Sequence, residues 1–225
     1  MNRLALFDCD GTLVDSAANI CRAVERAFDG HRLAPPDHAA IRAIVGLSLV
    51  EAMAQLHPAG EAAHHAALAE SYKAAFRAMR DTPDFAHEPL YDGIAETIVA
   101  LDDAGWMLGV ATGKSDRGLT LVLDQHGIRH RFVTLQTADR HPSKPHPAMA
   151  LAAIAEAGAT PATTVMIGDT SFDMAMALAA GAHAVGVGWG YHDRTALIAA
   201  GATRVVDHAR DLAEALDTGL RREAA

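Results

Sequence analysis

The sequence predicts an α/β protein: a doubly wound parallel sheet with a Rossmann-like core, interrupted near its start by an inserted all-helical cap domain. Three observations carry this expectation. From residue 90 onward, short apolar runs alternate with amphipathic stretches, the rhythm of βα units feeding a parallel sheet. Residues 16–85 break that rhythm, being rich in Ala, Arg and Glu without a clear β-branched run. Residues able to bear chemistry cluster where the expected strands end, which is where open α/β sheets bind ligands.

Taken in order, residues 4–7 (LALF) form the first expected strand. The block that follows reads as helices over 17–28, 36–44, 49–56 and 61–80. Its two crossings, near Asp15 and Ser16 and again over 81–89, carry Asp, Thr and Pro residues suited to linkers. Strands are then expected at 106–111, 132–136, 164–167, 183–187 and 204–206. Helices over 94–104, 117–126, 147–157, 172–180, 195–200 and 211–216 alternate with them. The expected division is a catalytic core of residues 1–15 and 86–225, and a helical cap of residues 16–85.

Composition narrows the function classes. The 225 residues are half hydrophobic, with a formal net charge of −9. That balance gives no general attraction to nucleic acid or to an anionic membrane. No apolar run approaches the 18 or so residues of a membrane span. Cys9 and Cys21 are the only cysteines and lack a CxxC spacing, so a reduced thiol pair is expected. A soluble, cytoplasmic protein is expected, monomer or homodimer, with no nucleic-acid or membrane partner.

Four motifs supply the chemistry. The first strand runs into Asp8-Cys9-Asp10-Gly11-Thr12, where Asp8 and Asp10 point the same way on an extended segment and Cys9 faces elsewhere. Adjacent carboxylates repel, and a divalent cation such as Mg2+ is the natural compensator for hard oxygen ligands. Gly11 permits a tight turn that leaves backbone N–H groups facing an anion. The same pattern also fits a capped turn. Thr112-Gly113-Lys114 follows the second strand, offering a hydroxyl for phosphate oxygens or an N-cap for the next helix. Lys144 sits among Pro142, Pro145 and Pro147, which fix an extended loop; it is either a fixed counter-ion or a solvated lysine. Gly168-Asp169 closes another strand, with Asp173 on the next helix turn, so both can lean to one point or serve as helix caps.

Other features carry less. The glycine-rich segment 186–191 lacks the GxGxxG and GxxxxGK[ST] patterns and reads as a turn after a strand. The thirteen histidines scatter, and His141 and His146 lack the further ligands of a zinc site.

In this order and at these strand ends, the four motifs resemble those of the haloacid dehalogenase-like hydrolases, in particular the branch similar to phosphoglycolate phosphatases. The resemblance covers nearly the whole chain. It implies a magnesium-dependent phosphatase acting on a small phosphorylated metabolite, 2-phosphoglycolate foremost, in which Asp8 is the nucleophile and Asp10 the acid–base. Thr112 and Lys144 would hold the phosphoryl oxygens, together with Gly11 and Gly113. Magnesium would lie on the Asp8 carboxylate, the Asp10 backbone carbonyl and Asp169, with Asp173 in support. The helical insertion occupies the place of the family's mobile cap. Its segment 45–49, with Gly46, looks like the loop that dips into the site, or is a plain helix–helix turn. Arg22 and Arg42 are candidates for a substrate carboxylate or second phosphate.

Asp10, Lys144, Asp169 and Asp173 favour phosphate chemistry over dehalogenation. Sugar-phosphate mutases share all four motifs, but there a basic residue commonly follows the Gly-x-Ser of the cap loop, and here Leu49 stands in its place. A pyrophosphatase or nucleotidase fits the same motifs. A phospho-acceptor signalling domain also uses a strand-end Asp, but needs neither a helical cap nor Asp10.

Overall fold

The computed structural model describes residues 2–80, 82, 83 and 85–221. Six strands form one sheet: β1 (Asn2–Phe7), β2 (Trp106–Thr112), β3 (Phe132–Thr137), β4 (Ala159–Gly168), β5 (His183–Val187) and β6 (Arg204–Val206). All neighbours pair in parallel in the order β3-β2-β1-β4-β5-β6. The connection reverses direction between β1 and β4, so a crevice opens beyond their carboxyl ends.

Both faces of the sheet are covered, which is why its strands read as apolar runs and not as alternating ones. On one face Ala5 and Phe7 pack with α5 (Ile94–Asp103), α6 (Asp116–Gln125) and α10 (Leu212–Arg221), through Ile98, Leu123 and Leu216. On the other, Leu4 and Leu6 meet α7 (Ala148–Glu156), α8 (Ser171–Ala179) and α9 (Arg194–Ala199), through Met149, Met174 and Leu197. The alternation within β1 thus divides one strand between two cores.

Among the described residues, four helices lie between β1 and α5: α1 (Ala17–Gly30), α2 (His38–Arg42), α3 (Leu49–Leu56) and α4 (Ala62–Arg80). They enclose a cluster of their own, in which Phe28, Ile41, Met53 and Leu68 are buried. The two passages to this block are tied together, since Asp15 N donates to Pro89 O at 3.0 Å and Tyr91 N to Leu13 O at 3.0 Å. Asp81 and Asp84 of the expected second crossing lie outside the described residues.

Several expected boundaries shift for physical reasons. β4 starts at Ala159, well before 164, because its first residues pair with Asn2 across a register break that accommodates Pro161. α2 is confined to His38–Arg42, since the Asp37 carboxylate caps it by accepting from Ala40 N at 2.7 Å. α10 continues past 216 to Arg221, where Asp217 pairs with Arg3 at 3.0 Å. The loop around Lys144 is a turn and not extended: His146 N donates to Ser143 O at 3.0 Å.

Candidate active site

The carboxyl end of β1 is built by backbone hydrogen bonds. Asp8 N donates to Ile167 O of β4 at 2.9 Å, and the Cys9 carbonyl accepts from Leu13 N and Val14 N at 2.9 and 3.0 Å. The resulting tight turn passes through Gly11 at φ +87°, a conformation that disfavours a side chain. A Cβ there would also overlap the Asp169 carboxylate, so the glycine is required on two counts. Cys9 turns into the core beneath, as the alternation predicts. Both cysteines are buried free thiols.

Asp8 is excluded from solvent, and neither of its carboxylate oxygens has a hydrogen-bond partner among the described residues. Lys144 Nζ stands 2.9 Å from Oδ1 as an ion pair. Burial pushes the Asp8 carboxyl up to about 7; the Lys144 ammonium opposes this and the Asp173 charge adds to it. Lys144 is itself buried, and desolvation pulls it down. The charges of Asp173 and Asp8 outweigh that and leave it raised.

β4 delivers the second acidic group. Asp169 Oδ1 accepts from Thr12 Oγ1 at 2.8 Å and Oδ2 from Tyr191 N at 2.9 Å. Burial, then Asp173 and Asp8, hold its carboxyl well above the usual range. The expectation that Asp169 caps the next helix is corrected here: Thr170 is the N-cap and Asp173 completes a capping box with it. One oxygen of Asp173 accepts from Thr170 N and Oγ1 at 3.0 and 2.7 Å; the other faces Lys144 Nζ at 2.6 Å. With both oxygens engaged, Asp173 orients Lys144.

Asp8, Asp169 and Asp173 each bring a carboxylate oxygen within 4.8 Å of the others. Three buried acids facing one ammonium leave uncompensated negative charge, and the Asp8 oxygens lack hydrogen bonds. Those two facts fit a divalent cation held by Asp8 and Asp169.

Beyond β2, Thr112 Oγ1 is buried and accepts from Lys114 N at 3.2 Å. It is not the cap of α6: Ser115 takes that place, accepting from Gly118 N at 3.1 Å. Gly113 lies under the 45–49 turn of the helical block, with the Leu47 and Gly46 carbonyls 2.5 and 2.8 Å from where a Cβ would be. Gly46 has φ +100° and packs on Thr170. The segment is a helix–helix turn, and it rests on the core loops. Ser48 N donates to Ser143 Oγ at 2.8 Å, and His192 Nε2 pairs with Ala43 O at 3.1 Å, across the same seam.

Three participants received no role from the sequence. Lys114 Nζ contacts both Asp10 oxygens, at 2.7 and 3.0 Å, and Ser16 Oγ donates to Asp10 Oδ1. The 186–191 segment begins as the last two residues of β5 and turns from Gly188 on, and it braces Asp169: Tyr191 N holds it, and a Cβ on Gly190 would overlap it. The Tyr191 hydroxyl is buried beside Ser16 without a well-formed hydrogen bond. The signal available was spacing alone, because Lys114 is 104 residues from Asp10.

The other candidates lie on the helical block and around the Lys144 turn. Arg42 is exposed at the end of α2, and Arg22 lines an outer groove with Glu25, Arg26 and Pro83. His141 Nε2 bonds Gln136 Oε1 at 2.7 Å, and His146 Nδ1 accepts from Ala148 N at 3.2 Å.

A doubly wound sheet thus presents buried acids and a lysine at its switch point, with a block of helices inserted after β1, an arrangement suited to holding a phosphate ester beside a cation. The chain belongs to the haloacid dehalogenase-like hydrolases, whose family model matches residues 5–187. It is 37% identical over 212 residues to the probable phosphatase IndB of Dickeya dadantii, covering 92% of this chain and 90% of that one. It is 34% identical over 213 residues to the tyrosine-protein kinase PtkA of Mycobacterium tuberculosis, covering 94% and 70%. A phosphoglycolate phosphatase of Pseudomonas putida is 32% identical over 216 residues, covering 93% and 78%. The fold matches a crystal structure described as a predicted phosphatase from Clostridium acetobutylicum, with TM-score 0.87, 24% identity and coverage of 97% and 99%. The protein is a phosphomonoester hydrolase, and none of its described helices is long and apolar enough to cross a membrane.

Proposed function

We propose that this phosphatase hydrolyses a small phosphomonoester through an aspartyl-phosphate on Asp8, with 2-phosphoglycolate the foremost substrate. The observation that carries the mechanism is the Asp8 carboxylate: buried, free of hydrogen bonds, and 2.9 Å from Lys144. A carboxylate so placed is short of stabilising donors and meets an incoming phosphoryl group next to a fixed cation. The substrate reading is supported by the relative named for phosphoglycolate.

In the first half-reaction an Asp8 oxygen bonds to phosphorus, the ester P–O bond breaks, and Asp10 gives its proton to the departing alkoxide. In the second, Asp10 takes a proton from water. The hydroxide oxygen bonds to phosphorus, the P–O bond to Asp8 breaks, and phosphate leaves. Thr112 Oγ1, the backbone N–H groups beside Gly11 and Gly113, and Lys144 Nζ hold the phosphoryl oxygens, where charge grows in the transition state. Asp8, Asp169 and the Asp10 backbone carbonyl would hold Mg2+, which supplies charge neutralisation between nucleophile and phosphate. Asp173 keeps Lys144 in place, a role that the 2.6 Å contact between them supports.

Residues 16–85 act as the cap on a core of residues 1–15 and 86–225; the 45–49 turn, with Gly46 against Thr170, excludes water when the cap is shut. Buried free thiols support a reducing, cytoplasmic setting. The test is phosphate release from 2-phosphoglycolate, hexose phosphates, nucleoside monophosphates and pyrophosphate, with magnesium and with chelator. Magnesium-dependent preference for 2-phosphoglycolate that vanishes in Asp8→Asn is expected. Full activity in Asp8→Asn overturns the mechanism, and preference for another ester overturns the substrate.

A further inference from the structure

We propose that Lys114 is a positioning residue that fixes the plane of the Asp10 carboxylate for proton transfer at the leaving oxygen; this rests on the acid–base role given to Asp10 above. Lys114 Nζ reaches Asp10 Oδ1 at 2.7 Å and Oδ2 at 3.0 Å, while Ser16 Oγ donates to Oδ1 alone. Among the described residues, Oδ2 therefore depends on Lys114. Both side chains are 11% exposed, so little water is at hand to take over the contact.

The lysine is itself held on a defined path. Its stem passes Gly118, where a Cβ would come within 3.1 Å of Cγ. Its ammonium lies 5.8 Å from the Phe76 ring centroid, so helix α4 of the cap forms part of its enclosure. Behind it Glu88 is buried and accepts from Asn19 Nδ2 at 3.0 Å. The two lysines of the site thus divide the work. Lys144 serves Asp8 and Asp173, whereas Lys114 serves Asp10.

A two-point contact restricts rotation about the terminal carboxylate torsion, which is otherwise broad. Losing it lets the proton-carrying oxygen drift, and a misplacement of about 1 Å can cost on the order of a hundredfold in rate. A lysine that merely neutralised Asp10 and Glu88 would instead affect folding and all substrates alike. Leaving-group dependence separates the two roles. An acidic phenol departs with little help from a proton, whereas an alkoxide needs one.

The experiment measures kcat/KM for wild type, K114M, K114Q and K114R on 4-nitrophenyl phosphate, phenyl phosphate and alkyl phosphates including 2-phosphoglycolate, with thermal melts to establish folding. K114M and K114Q are expected to lose about a hundredfold or more on the alkyl esters and less than about tenfold on 4-nitrophenyl phosphate, steepening the dependence on leaving-group acidity. K114R, which keeps a cation, should recover part of the alkyl-ester rate. A parallel loss across the series, no loss, or no recovery in K114R overturns the proposal. Parallel loss with an active wild type overturns it alone; a wild type without magnesium-dependent activity on any ester overturns the mechanism beneath it as well.

Discussion

Lys144 and Asp173 form a solvent-excluded ion pair, 2.6 Å from Nζ to Oδ1, and the same ammonium stands 2.9 Å from Asp8. Removing one member of a buried pair strands the other's charge and costs about 3–5 kcal/mol. Asp173→Ala should therefore unfold at lower denaturant, with a loss of that order, and should be nearly inactive. Lys144→Met is expected to be inactive too. In a double-mutant cycle run in chelator, the combined variant should lose less than the sum of the singles. Strict additivity would mean the pair is energetically uncoupled.

Burial raises the Asp8 carboxyl from its ordinary 3.8 to about 7. Between those values the folded state holds a proton the unfolded state has released, so this group's contribution to stability falls as pH rises through 7. A cation needs the ionised form and must displace that proton. Magnesium affinity, read by calorimetry in two buffers of different ionisation enthalpy, should weaken as pH falls below about 7, by roughly tenfold per unit at the limit, with proton release on binding. Affinity that is flat from pH 6 to 8 would contradict this.

The bracing of Asp169 by the turn after β5 leads to a variant with a local effect. A Cβ at Gly190 would overlap the Asp169 carboxylate. Overpacking of this kind costs about 1–3 kcal/mol. Gly190→Ala should show a modest fall in melting temperature and a larger fall in magnesium affinity, measured by activity against magnesium concentration. Unchanged magnesium dependence would show that Asp169 tolerates displacement.

Much of this architecture was legible because short-range physics wrote it. Leu4 and Leu6 against Ala5 and Phe7 give a strand buried on both faces, and the Gly-Asp end of β4 lies where the doubly wound layout puts chemistry. The contacts that local sequence does not encode join partners distant in the chain. Tyr191 meets Asp169 across 22 residues, and Lys114 meets Asp10 across 104. Thr170 and Ser115 cap their helices, one and three residues beyond Asp169 and Thr112. Each of these residue types caps well, so composition does not choose among them; the backbone path does.

The seam between the helical block and the core yields the last test. Ser143 Oγ accepts from Ser48 N at 2.8 Å, and Ser143 stands next to Lys144 in the chain. A single neutral hydrogen bond contributes about 0.5–1.5 kcal/mol, which corresponds to roughly two- to tenfold in the closing equilibrium. Because this bond joins the cap to the core, its loss should act on substrates that depend on cap closure. Ser143→Ala is expected to raise KM for 2-phosphoglycolate by that factor while leaving KM for 4-nitrophenyl phosphate, and the melting temperature, nearly unchanged. A fall in kcat for both esters would instead trace the effect to a displaced Lys144, and equal KM values for wild type and variant would show that closure does not rest on this bond.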